Sequence, residues 1–449
     1  MKITEALANH VCDFSFSDLP SKVVDLAKIH LLDTIGCGIA GTQTEEGEKI
    51  ISAIKDFDGN KEITIWGTTV KTNAPFAALI NGTTSHSLEL DDFGASIHPG
   101  ATIIPASMAV AEKYGCSGRE LITAIALGYD VAIRISHGAY CGVQTDFGWH
   151  PTGTCGSFGA AASVGKLLGL NKKELNWALG LAGTYTGGVW AFLADGAMSK
   201  RFHAGMAAMN GVIAGHLAKK GFTGPTQILE ADFGGFYKTY MRDKYNLEEV
   251  IRKLGEDHKI METGLKLYGC CRGVHGALDG ILEMKKKFNL NYENIESITV
   301  RVNEHIKRIT GKKRIETLLD AQMSLPYGVA LAIVKGEVSL YKYSPNDLSN
   351  KKIQNLIKKI EMVVDSKLRG QSAILRVKTK DNKTYEHEII TPKGDPSNPL
   401  SWDDICKKFE ALTKFILGDQ KTSNVFDLIK NIESVNNVSE LCGNIIPTK

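Results

Sequence analysis

The chain has 449 residues, 43% of them apolar, and its 53 Lys and Arg against 50 Asp and Glu leave a formal net charge of +3. Such a length supports a large core and two domains, and the composition is that of an ordinary globular protein. A balance so near zero argues against nucleic acid, and the short basic runs Lys285-Lys286-Lys287 and Lys312-Lys313-Arg314 read as solvated faces.

Nine cysteines are scattered at 12, 37, 116, 141, 155, 270, 271, 406 and 442, with no C-x-x-C pair. That pattern argues against a disulfide framework, a zinc ribbon or an iron–sulfur cluster, and it fits a reducing compartment. The opening MKITEALANHVCDFSFSDLP holds no uninterrupted apolar run of the secretory kind, so a cytoplasmic location is expected. Trp177 to Ala194 is uncharged throughout, but its glycines and its isolation favour a buried helix over a membrane span.

Taken in order, the chain reads as helix after helix to about residue 260. Ser17-Asp18-Leu19-Pro20 is a start signal for a helix with apolar spacing from Val23 to Ile39. Glu62 to Trp66 is strand-like, and Asn73 with Pro75 opens a helix that leads into His86–Gly100, HSLELDDFGASIHPG. Another helix is expected from near Ala101. Ser117 and Glu120 have capping-box spacing ahead of apolar periodicity to about His137. Two loop-helix joints follow, GWHPTGT before CGSFGAAASVGKLLGL and DGAMSKRFH before AGMAAMNGVIAGHLAKKG; both downstream helices are rich in Gly and Ala and suit close backbone packing.

Beyond about residue 262 the texture changes. A helix is expected from His275 to Lys287, a strand over Ile295–Val302, and a helix from about Leu318 to Val334. Ser372–Lys380 and Lys383–Ile390 alternate and meet at Asp381-Asn382, a hairpin signal. The proline-rich TPKGDPSNP closes this α+β part, and Ser401 caps a last helical region.

The polar residues at the joints are Asp91, Asp92, His98, His150, Lys200, His203, Lys266, Arg272, His275 and Tyr327. Acids and bases pressed against apolar helices are where proton transfer becomes possible, although Glu89, Asp91 and Asp92 would also serve as plain helix caps. Lysine and arginine pair with carboxylates, histidine moves protons near neutral pH, and a phenol at Tyr327 can donate to a leaving oxygen. The set suits proton abstraction beside a carboxylate, followed by elimination, decarboxylation or inversion. A metal on His98, His150 and Asp92 has no H-E-x-x-H or related spacing behind it, and no G-x-S-x-G elbow or intact phosphate loop is present.

HSLELDD…HPG, GWHPTGTCGSFGAAA, KRFHAGMAAMNG…GFTGP, YGCCRGVH and AQMSLPYGVALAI, in this order, resemble the MmgE/PrpD family across nearly the whole chain. The resemblance implies a mainly α protein with a large all-helical domain built from both termini (1–264 and 396–449) and a smaller α+β lid (265–395). It implies a homodimer without cofactor or metal, acting on a small di- or tricarboxylate in a cleft between the domains. Family activities include 2-methylcitrate dehydration, cis-aconitate decarboxylation and iminodisuccinate epimerisation. The family pattern places His98, His150, Lys200, Lys266 and Tyr327 in the site, with Asp92 nearby. Two departures from decarboxylase-like members stand out: Phe93 replaces the threonine after the paired aspartates, and Cys271 replaces a histidine five residues after Lys266. Arg272 and His275 match a C-R-x-x-H pattern of other members. The reading favoured is a metal-independent hydro-lyase. Its base is His150 or His98, its acid Tyr327 or the other histidine, and Lys200, Lys266 and Arg272 bind carboxylates. An epimerase, a decarboxylase and a non-catalytic carboxylate binder are the alternatives.

Overall fold

The computed structural model describes residues 2–57, 59–141, 143–336, 338, 343 and 345–448. The chain is mainly α and divides into two compact units. One comprises Met1–Phe192, Met198–Gly264 and Ser401–Lys449; the other comprises Leu193–Ala197 and Leu265–Leu400.

In the first unit the helices start where local chemistry starts them. Asn73 accepts from the Phe76 N–H at 3.1 Å to open Ala74–Ser87, with Pro75 in the first turn where its missing N–H does no harm. Ser117 and Glu120 cap Gly118–Gly138 reciprocally, and Ser401 with Asp404 does the same for Trp402–Leu417. That last helix returns to the first long helix, Ser21–Gly41. Buried Lys408 pairs with Asp33 at 2.5 Å and donates to the Leu90 carbonyl at 2.7 Å, which ties the C-terminal segment to the acidic loop.

Helix Ser199–Lys219 is held on two sides by glycine. A Cβ built on Gly205 would stand 2.2 Å from the Leu79 carbonyl oxygen of helix Ala74–Ser87, and one on Gly211 would stand 2.4 Å from the Ala160 Cβ of helix Pro151–Leu167. These three helices therefore cross backbone to backbone, which fixes the polar residues at their ends to within the tolerance of close packing.

The second unit carries a sheet of four strands. Ile360–Val364 runs parallel to Ile295–Val302, which pairs antiparallel with Ala373–Thr379, which pairs antiparallel with Thr384–Ile389. The last two form the expected hairpin, and Asn382 adopts a φ of 61° in its turn. Val300, Leu375 and Val377 share a core with Ile281 of helix His275–Phe288 and Leu331 of helix Leu325–Lys335.

Two expectations are corrected. The uncharged stretch from Trp177 is helical only to Thr184; Gly188, at φ 120°, leads into an open loop where Tyr185 is 85% exposed, and a short turn at Trp190–Leu193 follows. Uncharged composition did not mean burial because consecutive glycines remove the helix's backbone preference. The helix expected over 318–334 is interrupted: Leu318–Gln322 ends, Ser324 caps a fresh start, and Pro326 sits in its first turn. Among the described residues no helix is long and apolar enough to cross a membrane.

Glycine is ordinarily about 1 kcal/mol poorer than alanine inside a helix, so Gly205→Ala would stabilise the protein if the space were open. The backbone contact reverses the sign. Gly205→Ala is expected to lower stability by roughly 1–3 kcal/mol, the range for overpacking, measured as a reduced urea midpoint. An unchanged or raised midpoint would mean the helices do not cross as described.

Candidate active site

The acidic loop joins helix Ala74–Ser87 to helix Gly100–Tyr114, and its conformation is set by backbone bonds. Phe93 and Gly264 exchange N–H···O bonds at 2.9 and 2.8 Å, and Gly94 and Ile97 do so at 3.0 and 2.9 Å. Between them Ala95 and Ser96 take left-handed φ values of 47° and 65°. Asp92 is the anchor: its carboxylate accepts from the Gly100 N–H at 3.0 Å and the Tyr129 hydroxyl at 2.7 Å, and lies 3.2 Å from His30 Nδ1. A Cβ at Gly100 would press on Asp92 Oδ1 at 2.9 Å, so only glycine lets the carboxylate reach that helix start. Burial, followed by the Asp92 charge, drives the Tyr129 phenol well above its ordinary range and keeps it a donor. Asp92 thus holds the loop in place.

Asp91 points elsewhere. Its Oδ2 lies 2.8 Å from His86 Nδ1 and 3.5 Å from His98 Nδ1, while His98 Nδ1 is 2.6 Å from the Asp92 carbonyl oxygen. The other face of His86 meets the first turn of helix Ser199–Lys219, where its Nε2 is 3.2 Å from Lys200 Nζ. Lys200, only 3% exposed, donates to Glu89, and Glu89 sits at a left-handed φ of 53°. His150 caps helix Pro151–Leu167; its Nδ1 is 3.1 Å from that of His203, and its ring packs against Trp190 and Phe192.

Four imidazoles therefore form a row, with centroids 4.6 Å apart for His98 and His86, 6.3 Å for His86 and His150, and 5.3 Å for His150 and His203. Burial lowers the pKa of His86 despite Asp91. Burial and then the Lys200 charge push His150 well below its ordinary value, and burial takes His203 down to about 4. The interior of this unit holds a lysine beside unprotonated bases.

His86 and Glu89 were not among the candidates from sequence. Their signal was present in their spacing, with His86 in the last helical turn and Glu89 and Asp91 three and five residues on, but the pairing with Lys200 is long-range. Among the described residues, His86, Asp91 and His98 offer ligand atoms within 4.8 Å of one another. The Lys200 ammonium on the far nitrogen of His86 opposes a second cation there.

The remaining candidates lie in the second unit. Lys266, His275 and Tyr327 are fully buried. Arg272 stacks its donors on the proline-rich linker, with Nη1 3.0 Å from His275 Nδ1 and 3.1 Å from the Lys393 carbonyl oxygen, and with Asp395 at 3.6 Å. Burial, then the neighbouring Arg272, pushes His275 well below its ordinary value. The Tyr327 hydroxyl is buried without a hydrogen-bond partner among the described residues, and burial raises its pKa.

Stability should follow the imidazole row. As pH falls below the ordinary histidine value of about 6.5, the unfolded chain takes up protons that His86, His150 and His203 refuse in the folded state, so stability drops. His137, raised to about 9 by bonds to Cys141 and then Glu262, acts in the other window: it stabilises fully below 6.5 and fades as pH rises toward 9. A stability maximum near pH 6.5 is expected in urea titrations. His203→Asn should flatten the acid side; an acid limb unchanged in that variant would remove His203 from the account.

Residues 5–248 match the model of the MmgE/PrpD N-terminal domain and residues 268–432 that of the MmgE/PrpD C-terminal domain. The cis-aconitate decarboxylase-like protein oryM of Aspergillus oryzae is 29% identical over 98% of this chain and 96% of its own length. The human cis-aconitate decarboxylase is 26% identical over 98% of this chain and 93% of its own length. The mitochondrial 2-methylcitrate dehydratase of Yarrowia lipolytica is 23% identical over 82% of this chain and 73% of its own length. With both family models matched in order across most of its length, the chain belongs to the MmgE/PrpD family.

Proposed function

We propose that this protein is a lyase acting on a small tricarboxylate, with dehydration of a hydroxy acid such as 2-methylcitrate as its reaction. The observation that carries the reading is the buried His150 in a row of imidazoles, with the Lys200 ammonium on its neighbour His86; burial and then that charge push His150 well below its ordinary value. A neutral imidazole takes a proton from the carbon beside a carboxylate, and the lysine offsets the negative charge that develops there. The electron pair forms the C=C bond, and the departing hydroxyl leaves as water after taking a proton from His98, whose Nδ1 is held on the Asp92 carbonyl oxygen. Lys266 and Tyr327 keep the assignment the family pattern gives them. No metal enters the reaction.

Decarboxylation is the second reading, supported by relatives named for it that align over 98% of the chain. Against it, Phe93 uses its backbone on Gly264, and Cys271 packs against the apolar core of the second unit in place of an imidazole. Nine free cysteines support a cytoplasmic setting.

A second copy of the chain is the occupant we infer for an apolar groove of about 800 Å³ on the first unit. Tyr185, Phe202, Ile213 and Phe222 line it and are 85%, 42%, 40% and 58% exposed, an apolar cluster that a partner copy would cover.

Proton NMR in D₂O tests the reaction, with chelator-treated protein given 2-methylcitrate, citrate, cis-aconitate or iminodisuccinate. New vinyl signals from a hydroxy acid are expected, lost in His150→Ala. Itaconate from cis-aconitate would replace dehydration by decarboxylation, and deuterium entering with inversion alone would replace it by epimerisation. Because His150 is held neutral, kcat/KM should persist as pH falls through 6.5 and decline only below it; a limb at the ordinary histidine value would exclude His150 as base. Sedimentation equilibrium tests the groove: a dimer is expected, broken by Ile213→Glu, and a wild-type monomer would refute it.

A further inference from the structure

Away from the imidazole row, the end of helix Gly118–Gly138 brings together a thiol, an imidazole and a carboxylate. Cys141 Sγ lies 3.3 Å from His137 Nδ1, and His137 Nε2 lies 2.6 Å from Glu262 Oε2. Glu262 is itself fixed, since Lys259 Nζ donates to its Oε1 at 2.7 Å and to Asp257 at 2.8 Å. This is the arrangement of an activated nucleophile: a base within reach of the thiol, and a third group that orients the base. His137 stands in the last helical turn, where the carbonyl ends of the helix favour a positive imidazolium.

Access separates this thiol from the five buried cysteines, and the imidazole beside it separates it from the other half-buried ones, Cys12, Cys271 and Cys406. Cys141 is half-buried, and the His137 and Glu262 side chains are 28% and 38% exposed. Cys37, Cys116, Cys155, Cys270 and Cys442 are buried, and burial pushes Cys116 up to about 11 and Cys155 up to about 12. Cys141 also adopts a left-handed φ of 49°, which turns its side chain back over the helix end toward His137, while its N–H bonds the Ser136 carbonyl at 3.0 Å.

We infer that Cys141, with His137 and Glu262, is a reactive thiolate site that undergoes exchange with small disulfides of the oxidised-glutathione type. His137 takes the thiol proton as the exchange begins. The thiolate attacks one sulfur of the disulfide, a new S–S bond forms at Cys141, and the old S–S bond breaks with its electron pair on the departing sulfur. That sulfur takes the proton from His137. One small disulfide is consumed, one small thiol is released, and no other oxidant is required. Nothing in the lyase chemistry calls for this group, so the site stands apart from that reading.

Its position gives the modification a route to the acidic loop. The Ser96 hydroxyl donates to the Cys141 carbonyl, and the Ser136 hydroxyl donates to the Ala95 carbonyl at 2.5 Å, so the left-handed turn of the His98 loop rests on this helix end.

The test is peptide mass spectrometry of the full chain during exposure to oxidised glutathione at pH 7. Mixed disulfide is expected at Cys141 at least tenfold faster than at Cys406, another half-buried cysteine. His137→Asn, and to a smaller extent Glu262→Gln, should slow exchange at Cys141, with folding checked by circular dichroism. Equal rates at Cys141 and Cys406, or a folded His137→Asn variant at the wild-type rate, would each overturn the proposal.

Discussion

A lysine ammonium buried to 3% exposure is the constraint on which the first unit depends. Removing such a charge from water is tolerable only with close partners, and breaking the set by deleting one of them leaves an uncompensated charge that costs about 3–5 kcal/mol. Lys200 has Glu89 on one side and His86 on the other, and His86 is in turn bonded to Asp91. Each partner comes from the segment that ends helix Ala74–Ser87, while the lysine comes from helix Ser199–Lys219. The ion pair can therefore form only if those two helices meet at backbone distance. The glycine crossing at Gly205 and the strained φ at Glu89 are consequences of the same requirement.

Identical side chains are given opposite states by their surroundings. His150 is enclosed by aromatic rings with a cation nearby, so burial and repulsion both favour the neutral base. His137 lies at a helix end with a carboxylate on one nitrogen and a thiol on the other, and its partners hold the proton on. The first environment favours a proton acceptor and the second a protonated imidazole. The Ser96 hydroxyl bond to the Cys141 carbonyl joins the His98 loop to the helix end that carries His137.

Local signals in the sequence are reproduced where a single segment decides the outcome. Asn73, Ser117 and Ser401 cap the helices their spacing calls for, and the strand Ile295–Val302 has the bounds its alternation suggests. The mainly α class follows from the same periodicity. What escaped were features fixed by partners distant in the chain. Glu89 reads as a helix cap until Lys200, more than a hundred residues later, is placed beside it. Asp91 and Asp92 are adjacent and chemically alike, and only the Tyr129 hydroxyl and the Gly100 N–H show which of them anchors the loop and which faces the imidazoles. Composition misled at 185–193, where glycine rather than charge determines the path.

Family membership narrows the chemistry without choosing the leaving group. Dehydration and decarboxylation of tricarboxylates both require negative charge to be stabilised beside a carboxylate, so a buried lysine next to neutral imidazoles serves either. They differ in what departs. Loss of water needs an acid near the hydroxyl, the part we propose for His98, whose Nδ1 is fixed on the Asp92 carbonyl oxygen. Loss of carbon dioxide needs a surrounding that weakens the hold on a carboxylate and a donor that returns a proton to carbon. At the two positions where decarboxylase-like members carry threonine and histidine, the Phe93 backbone is bonded to Gly264 and Cys271 lies against apolar side chains. The choice between the two departures therefore falls to the few groups that would meet the leaving group, not to the buried lysine and imidazoles that serve both.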